Sequence, residues 1–418
     1  MCRILIFLLL CLPTAVLAYN TPVIVLTTFE PSALEKLVEK YQAQYPNVAL
    51  RVLHRHEDAA QRLLNDPNHD IDVVISSSLS LFSSLQQKKQ LKQLPTINKE
   101  YASQQAKVIL KQFDKQLALL GYSSYGFMWN QRYLEKHNLD RPSSWQSLTH
   151  PQYFRHIVMA APSRSVFSHY MIESILQQYG WDDGWHLLYQ LSGNLASVSM
   201  LSATDDISRG RAGIAPVADI MAYRSQQPFP FIGFSYQPNS PVIPAFMASI
   251  ENRHNAANSA KFISFLESVM TQMLHNINSH YSYVLRQARD QRALGQQLDF
   301  ALLNKRSAVI KKLYTHSVSH TLALHNKAWK LIHDVSNYPF LTPEQRQNID
   351  KAIKLATTPP LTEQQAMTIS ANVKARPNID VQSYNDGNPW CVRMHNQLTE
   401  AIKITEQIVM DYEAKTYG

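Results

Sequence analysis

Short runs of apolar residues, each closed by a cluster of hydroxyl side chains, recur along the first half of the chain. Val23 to Leu26 gives way to Thr27-Thr28, Ile71 to Ile75 to Ser76-Ser77-Ser78, and Val158 to Ala161 to Ser163-Arg164-Ser165. Unbroken apolar runs of this length suit strands covered by helices on both faces. The polar cluster after each run marks the passage from strand to helix, where unpaired N–H groups and the positive end of the helix dipole are presented. In an open α/β sheet, ligands bind at such carboxyl-end junctions. Three of them together point to an anion receptor.

The same pattern predicts two α/β units. The first runs strand Val23 to Leu26, helix Ser32 to Tyr41, strand Val48 to Leu53, helix Ala59 to Leu64 and strand Ile71 to Ile75. Its first helix carries Leu34, Leu37, Val38 and Tyr41 on one face, behind Pro31 and the capping pattern Ser32-x-x-Glu35. The second runs strand Ile157 to Ala161, helix Ser168 to Tyr179, strand Ala196 to Ser199, helix Asp205 to Arg209 and strand Ala212 to Val217. The chain leaves lobe one near Gly121 to Gly126 and returns near Pro238 to Pro244. Two crossings make a hinge, with a ligand between lobes that close on it. The expected division is lobe one in 19–124 and 241–290, lobe two in 125–240, and a helical C-terminal region in 291–418. In that last region Thr342-x-x-Gln345 and Thr362-x-x-Gln365 open helices. Two amphipathic stripes, Leu324-Ala328-Leu331-Ile332-Val335 and Leu398-Ala401-Ile402-Val409-Tyr412, are expected to pack onto lobe one. The alternating Tyr122, Tyr125, Phe127 and Trp129 read as strand core ahead of an aromatic ligand wall.

The N-terminus sets the compartment. Arg3, an apolar stretch from Ile4 to Leu12, Pro13 and small residues ending at Ala18 form a secretory signal peptide over residues 1–18, and the mature protein is expected in the periplasm. Leu10 ahead of Cys11 argues against a lipid anchor there. No later run of about 18 apolar residues offers a membrane span. Beyond the signal, Cys391 stands alone, so no internal disulfide can form and the fold must rest on its core. The net charge of +8, from 40 Lys and Arg against 32 Asp and Glu, suits an acidic ligand or an anionic membrane surface. Without a dense basic block it gives no reason to expect nucleic acid as a partner.

At this point the segments Val25-Leu26-Thr27-Thr28-Phe29, His69 to Ser78, Gly121-Tyr122-Ser123 through Trp129-Asn130, Ala161-Pro162-Ser163-Arg164-Ser165 and Gly193 to Ser199 resemble the periplasmic substrate-binding proteins that include iron(III) and sugar-phosphate receptors. The likeness covers about residues 20 to 290. It implies a type II periplasmic binding fold that captures a phosphorylated three-carbon acid such as phosphoglycerate. It further implies a membrane partner, a sensor histidine kinase or a transporter permease, and no catalytic step. Iron-binding members carry an adjacent Tyr pair on the lobe-two side; near Asp219 this chain offers Tyr223 alone, which disfavours phenolate iron binding.

A phosphate monoester brings about −1.5 to −2 charges and three acceptor oxygens. Thr27, Thr28, Ser76, Ser77, Ser78, Ser163 and Ser165 supply hydroxyls at the three junctions, Arg164 a planar fork for phosphate or carboxylate, and Asp219 an acceptor for a ligand hydroxyl. Three helix ends, their hydrogen bonds and one Arg sum to about 8 kcal/mol, or micromolar affinity before ordering costs. No metal or cofactor is needed. Three rival readings are weaker. His54-x-His56 with Glu57 and Asp58, or His316 with His320, could begin a metal site, as in a ferric-ion receptor. Ser168-His169 could serve a secreted phosphate-ester hydrolase, but adjacency in sequence rarely gives the needed geometry.

Overall fold

The computed structural model describes residues 21–94, 102, 104–200, 202–251, 255–275, 297–375 and 388–417. The signal-peptide reading and Cys11 lie outside the described residues, as does much of the segment before 297.

The first half of lobe one comprises β1 (Val23–Thr27), α1 (Glu35–Gln44), β2 (Leu50–His54), α2 (Glu57–Asn65), β3 (Val73–Ser76), α3 (Leu79–Gln87), α4 (Gln104–Gln112) and β4 (Ala118–Ser123). Lobe two follows with β5 (Tyr125–Asn130), α5 (Gln131–His137), β6 (Ile157–Ala160), α6 (Val166–Tyr179), α7 (Trp181–Gly193), β7 (Leu195–Ser199), α8 (Ala203–Ser208), β8 (Ile214–Ala218), α9 (Asp219–Gln226) and β9 (Ile232–Tyr236). The chain then returns through β10 (Ile243–Ser249) and α10 (Ala256–His275). Among the described residues it ends in the α-helices α11 (Phe300–Tyr314), α12 (Leu322–Ser336), α13 (Pro343–Thr357), α14 (Glu363–Ala375) and α15 (Pro389–Tyr417).

Each lobe is built on a mixed sheet, ordered β2-β1-β3-β10-β4 in lobe one and β7-β6-β8-β5-β9 in lobe two. β1 pairs in parallel with β2 and β3, whereas β10 runs antiparallel between β3 and β4. Alternation along β1 sends Val23 and Val25 to the face covered by Leu37, Tyr41, Phe262 and Phe265, and Leu26 to the opposite face with Phe82 and Phe246. That two-sided burial is why the strand reads as an unbroken apolar run. Tyr125 and Phe127 are buried, the Phe127 ring 5.1 Å from that of Trp145, so the aromatic alternation is strand core.

Ser123 ends one sheet and Tyr125 opens the other. Ser124 between them donates to Ser240 Oγ at 3.1 Å and to the Pro241 carbonyl at 2.9 Å, tying the two crossings to each other.

Two expectations need correction. Pro31–Ala33 forms a separate 3-10 turn, and α1 starts at Glu35 behind Leu34, whose side chain cannot cap, so the helix begins three residues later than the pattern predicts. The C-terminal stripes pack onto lobe two and onto each other instead of lobe one. Asn326 Nδ2 donates to the carbonyls of Ser192, Gly193 and Leu195 at the end of α7, and Trp329 fills the space that glycine leaves at 193. The reciprocal bonds of Thr342 with Gln345 and of Thr362 with Gln365 are present.

Candidate functional site

The carboxyl end of β1 and the start of α6 face each other between the lobes and frame a cleft of about 100 Å³. Thr28, Phe29, Glu30, His54 and His56 line it from lobe one; Arg164, Ser165, Ser168, Ser202 and Thr204 line it from lobe two. Phe29 and Phe167 meet across it with ring centroids 6.3 Å apart.

Local sequence explains the lobe-two wall. Ser165 adopts an extended backbone and caps α6, accepting from the Ser168 N–H at 3.1 Å, which leaves other first-turn donors of a 14-residue helix near the cleft. Arg164 is exposed, and among the described residues no carboxylate lies within ion-pair distance of it. Ser202 caps α8 through the Asp205 N–H. On lobe one, Thr28 Oγ1 shares a 2.6 Å hydrogen bond with Ser76 Oγ, which also accepts from the Ser78 N–H. Burial lowers the pKa of His54, against the pull of Glu30, so its imidazole is neutral near pH 7.

Of the nine residues expected from the sequence, Thr28, Arg164 and Ser165 line this cleft. Thr27 is buried beneath it and accepts from the Phe29 N–H. Ser76 sits behind Thr28. Ser77 is buried, its carbonyl accepting from Tyr170 OH at 2.7 Å across the lobes. Ser78 caps α3 and donates to Glu57 at 2.7 Å. Ser163 is half-buried and outside the lining. Asp219 is buried at the crossings, accepting from Ser123 Oγ, the N–H groups of Ser124 and Ile220, and Tyr236 OH. Burial pushes its pKa up against those four donors. Tyr223 donates to Tyr236 at 3.2 Å, so both phenols are tied to the Asp219 cluster.

The sequence reading missed Ser202 and Thr204. The signal was there in Ser202-x-x-Asp205 ahead of a short apolar face, but the helix was placed to begin at Asp205. His54 and His56 reach the cleft with ring centroids 5.2 Å apart, yet among the described residues no group of three potential metal ligands forms. Ser168 lines the cleft while His169 turns inward, both ring nitrogens without a hydrogen-bond partner, so the pair makes no nucleophile and base.

Two sheets joined by paired crossings, with a cleft between them that sets hydroxyls, imidazoles and a guanidinium among apolar side chains such as Phe29, Phe167, Met171 and Met221, define a protein that holds a small solute between lobes. The chain belongs to the bacterial extracellular solute-binding proteins, whose family model matches residues 68–298. Among characterised relatives, it is similar to the phosphoglycerate transport regulatory protein PgtC of Salmonella typhimurium, 31% identical over 328 residues that cover 76% of this chain and 81% of that protein. The periplasmic binding protein P5PA superposes with a TM-score of 0.60 at 16% identity, over 71% of this chain and 99% of its own. AfuA of Actinobacillus pleuropneumoniae, solved with exogenous fructose-6-phosphate bound, gives 0.59 at 14% identity, over 71% and 98%. These likenesses establish a two-lobed periplasmic binding protein fold. The solved structures are matched nearly whole, by less than three quarters of this chain.

Proposed function

We propose that this protein is a periplasmic receptor for a small phosphorylated acid, phosphoglycerate first, and that it signals the bound state to a membrane sensor kinase or hands the ligand to a transporter permease. The observation that carries the reading is Arg164, a guanidinium with no ion-pair partner among the described residues, beside the N-terminus of α6 in a cleft to which both lobes contribute hydroxyls. A phosphate there would meet a bidentate fork, a helix dipole and the hydroxyls of Ser165, Ser168, Ser202 and Thr204, without burial of several unpaired cations. The similarity to PgtC, a relative named for phosphoglycerate transport, supports the same ligand.

Thermal-shift and calorimetric titration test it. A ligand with Kd of about 1 µM, present at 100 µM, adds about 2.7 kcal/mol to the folded state. 3-Phosphoglycerate should do so and unphosphorylated glycerate should not. Arg164→Ala should weaken the affinity about 10- to 150-fold, with Arg164→Lys in between, because a point charge cannot replace two parallel hydrogen bonds. Equal shifts from both acids, or unchanged affinity in Arg164→Ala, would overturn the reading. Dialysis against a strong chelator should change the affinity no more than about twofold; a tenfold loss restored by metal would mean a ligand held through His54 and His56.

A further inference from the structure

Helix α11 touches both lobes. On lobe one, Lys311 Nζ donates to Glu57 Oε2 at 2.6 Å and Asn304 Nδ2 donates to Ser83 Oγ at 3.2 Å. On lobe two, Arg306 donates through Nε and Nη2 to Glu173 Oε1 at 3.0 and 2.8 Å. Both pairs are shielded from water: the side chains of Arg306 and Glu173 are 1% and 0% exposed, those of Lys311 and Glu57 9% and 11%. Immediately before the helix, Gln105 of lobe one donates to the Leu298 carbonyl and Gln177 of lobe two to that of Asp299.

The two ends are not equally fastened. Arg306 is also paired with Glu363 of α14 and lies over the Trp181 ring at 5.6 Å, and α12 is docked on α7, so α11 is anchored to lobe two several times over. Lys311 has Glu57 as its ion-pair partner among the described residues. Glu57 in turn receives Ser78 and Ser80, and it directly follows His56, which lines the cleft. The catch therefore lies one residue from the ligand site.

We propose that α11 is a clasp that fastens lobe one to lobe two at the Lys311–Glu57 pair, so that the cleft opens only when this pair parts and α11 leaves with lobe two. Two covalent crossings alone allow free hinge motion. A charge-assisted hydrogen bond bridging the lobes opposes it, because parting exchanges the 2.6 Å Lys311–Glu57 contact for contacts with water. The family match ends at residue 298, just ahead of α11.

The test needs no ligand, so it fails or succeeds independently of the phosphate reading. Spin labels are placed at Glu39→Cys on α1 and Gln227→Cys at the end of α9, both exposed, with the other cysteines changed to serine. Interlobe distances are then read by double electron–electron resonance. The ligand-free protein should show one narrow, short distance. Glu57→Gln with Lys311→Met, which removes both charges and the charge-assisted hydrogen bond between them, should add a longer distance and raise the open-to-closed ratio about tenfold or more. Lys311→Arg should restore the short distance. A broad open distribution in the otherwise unaltered protein overturns the clasp whether or not the variants fold. So does a folded neutral pair that stays closed.

Discussion

Lowering the pH from 8 to 5 should destabilise this protein steeply, and His169→Leu should remove a defined part of the loss. His169 is buried behind the cleft, its ring nitrogens unpartnered. Burial, then Lys311 and Arg306, drive its pKa from 6.5 down to about 3, with Glu57 opposing. A folded-state pKa below the unfolded one means that the unfolded chain takes up the proton first. The stability is complete above pH 6.5 and is lost as the pH falls from 6.5 toward 3. For these two values, linkage gives a loss of about 2 kcal/mol at pH 5. Glu57 stays out of that window. Burial would raise its carboxyl, but Lys311, His169 and the hydrogen bonds from Lys311 and Ser80 hold it at about 2, so its contribution is lost only between about pH 4.5 and 2. Leucine fills similar space and has nothing to titrate. Urea denaturation at the two pH values should therefore show the His169→Leu protein losing about 2 kcal/mol less than the unaltered one. His325, buried against Tyr189 and lowered by burial to about 4, should leave a residual loss of similar size in both. Losses equal within about 0.5 kcal/mol would refute a buried neutral His169.

Two further substitutions probe the joints. A Cβ added at residue 193 would lie 2.5 Å from the Trp329 side chain, so Gly193→Ala should cost about 1–3 kcal/mol, read by thermal unfolding, with a red-shifted tryptophan emission as α12 lifts from α7; an unchanged melting temperature would mean that the contact gives way freely. Asp219→Ala would orphan four donors at the crossings and should cost about 3 kcal/mol or more, whereas Asp219→Asn should cost less because it retains an acceptor. Equal stability of the two variants would show that these donors find water instead.

The sheets and the Ser165 cap were legible because both are written locally: period, apolar runs and the hydroxyl before a helix lie within a few adjacent residues. The partner of an amphipathic stripe is not written locally. Leu324 to Val335 announces one buried face, but whether lobe one or lobe two covers it depends on Gly193 and the α7 carbonyls, more than 130 residues away. Asp219 illustrates the same limit. Its position after a strand suits a ligand acceptor and equally a hinge buttress, and what favours the second is Ser123 and Tyr236, which only the fold brings to it. The hydroxyl clusters divide likewise: Thr28 and Ser165 face the cleft, while Thr27, Ser76, Ser77 and Ser78 hold the loop behind it.

The uneven sharing of the cleft suggests the order of events. Arg164 and four hydroxyls belong to lobe two, while lobe one contributes Thr28, two imidazoles and Glu30. On the proposed reading an anion docks first on lobe two, where the guanidinium and the start of α6 are both available. Closure then adds lobe-one contacts, and a ligand shifts a conformational equilibrium only by such a difference between states. The phosphate contacts to lobe two would thus set affinity, while the lobe-one contacts and the Lys311–Glu57 pair together would set how completely the protein closes. A clasp that favours closure without ligand makes entry slow and release slow, whatever the affinity. That separation is measurable: the neutral Glu57→Gln, Lys311→Met pair should speed both association and dissociation of 3-phosphoglycerate, while Arg164→Ala should act chiefly on dissociation. Unchanged association in the neutral pair would mean that the cleft admits its ligand without the clasp parting.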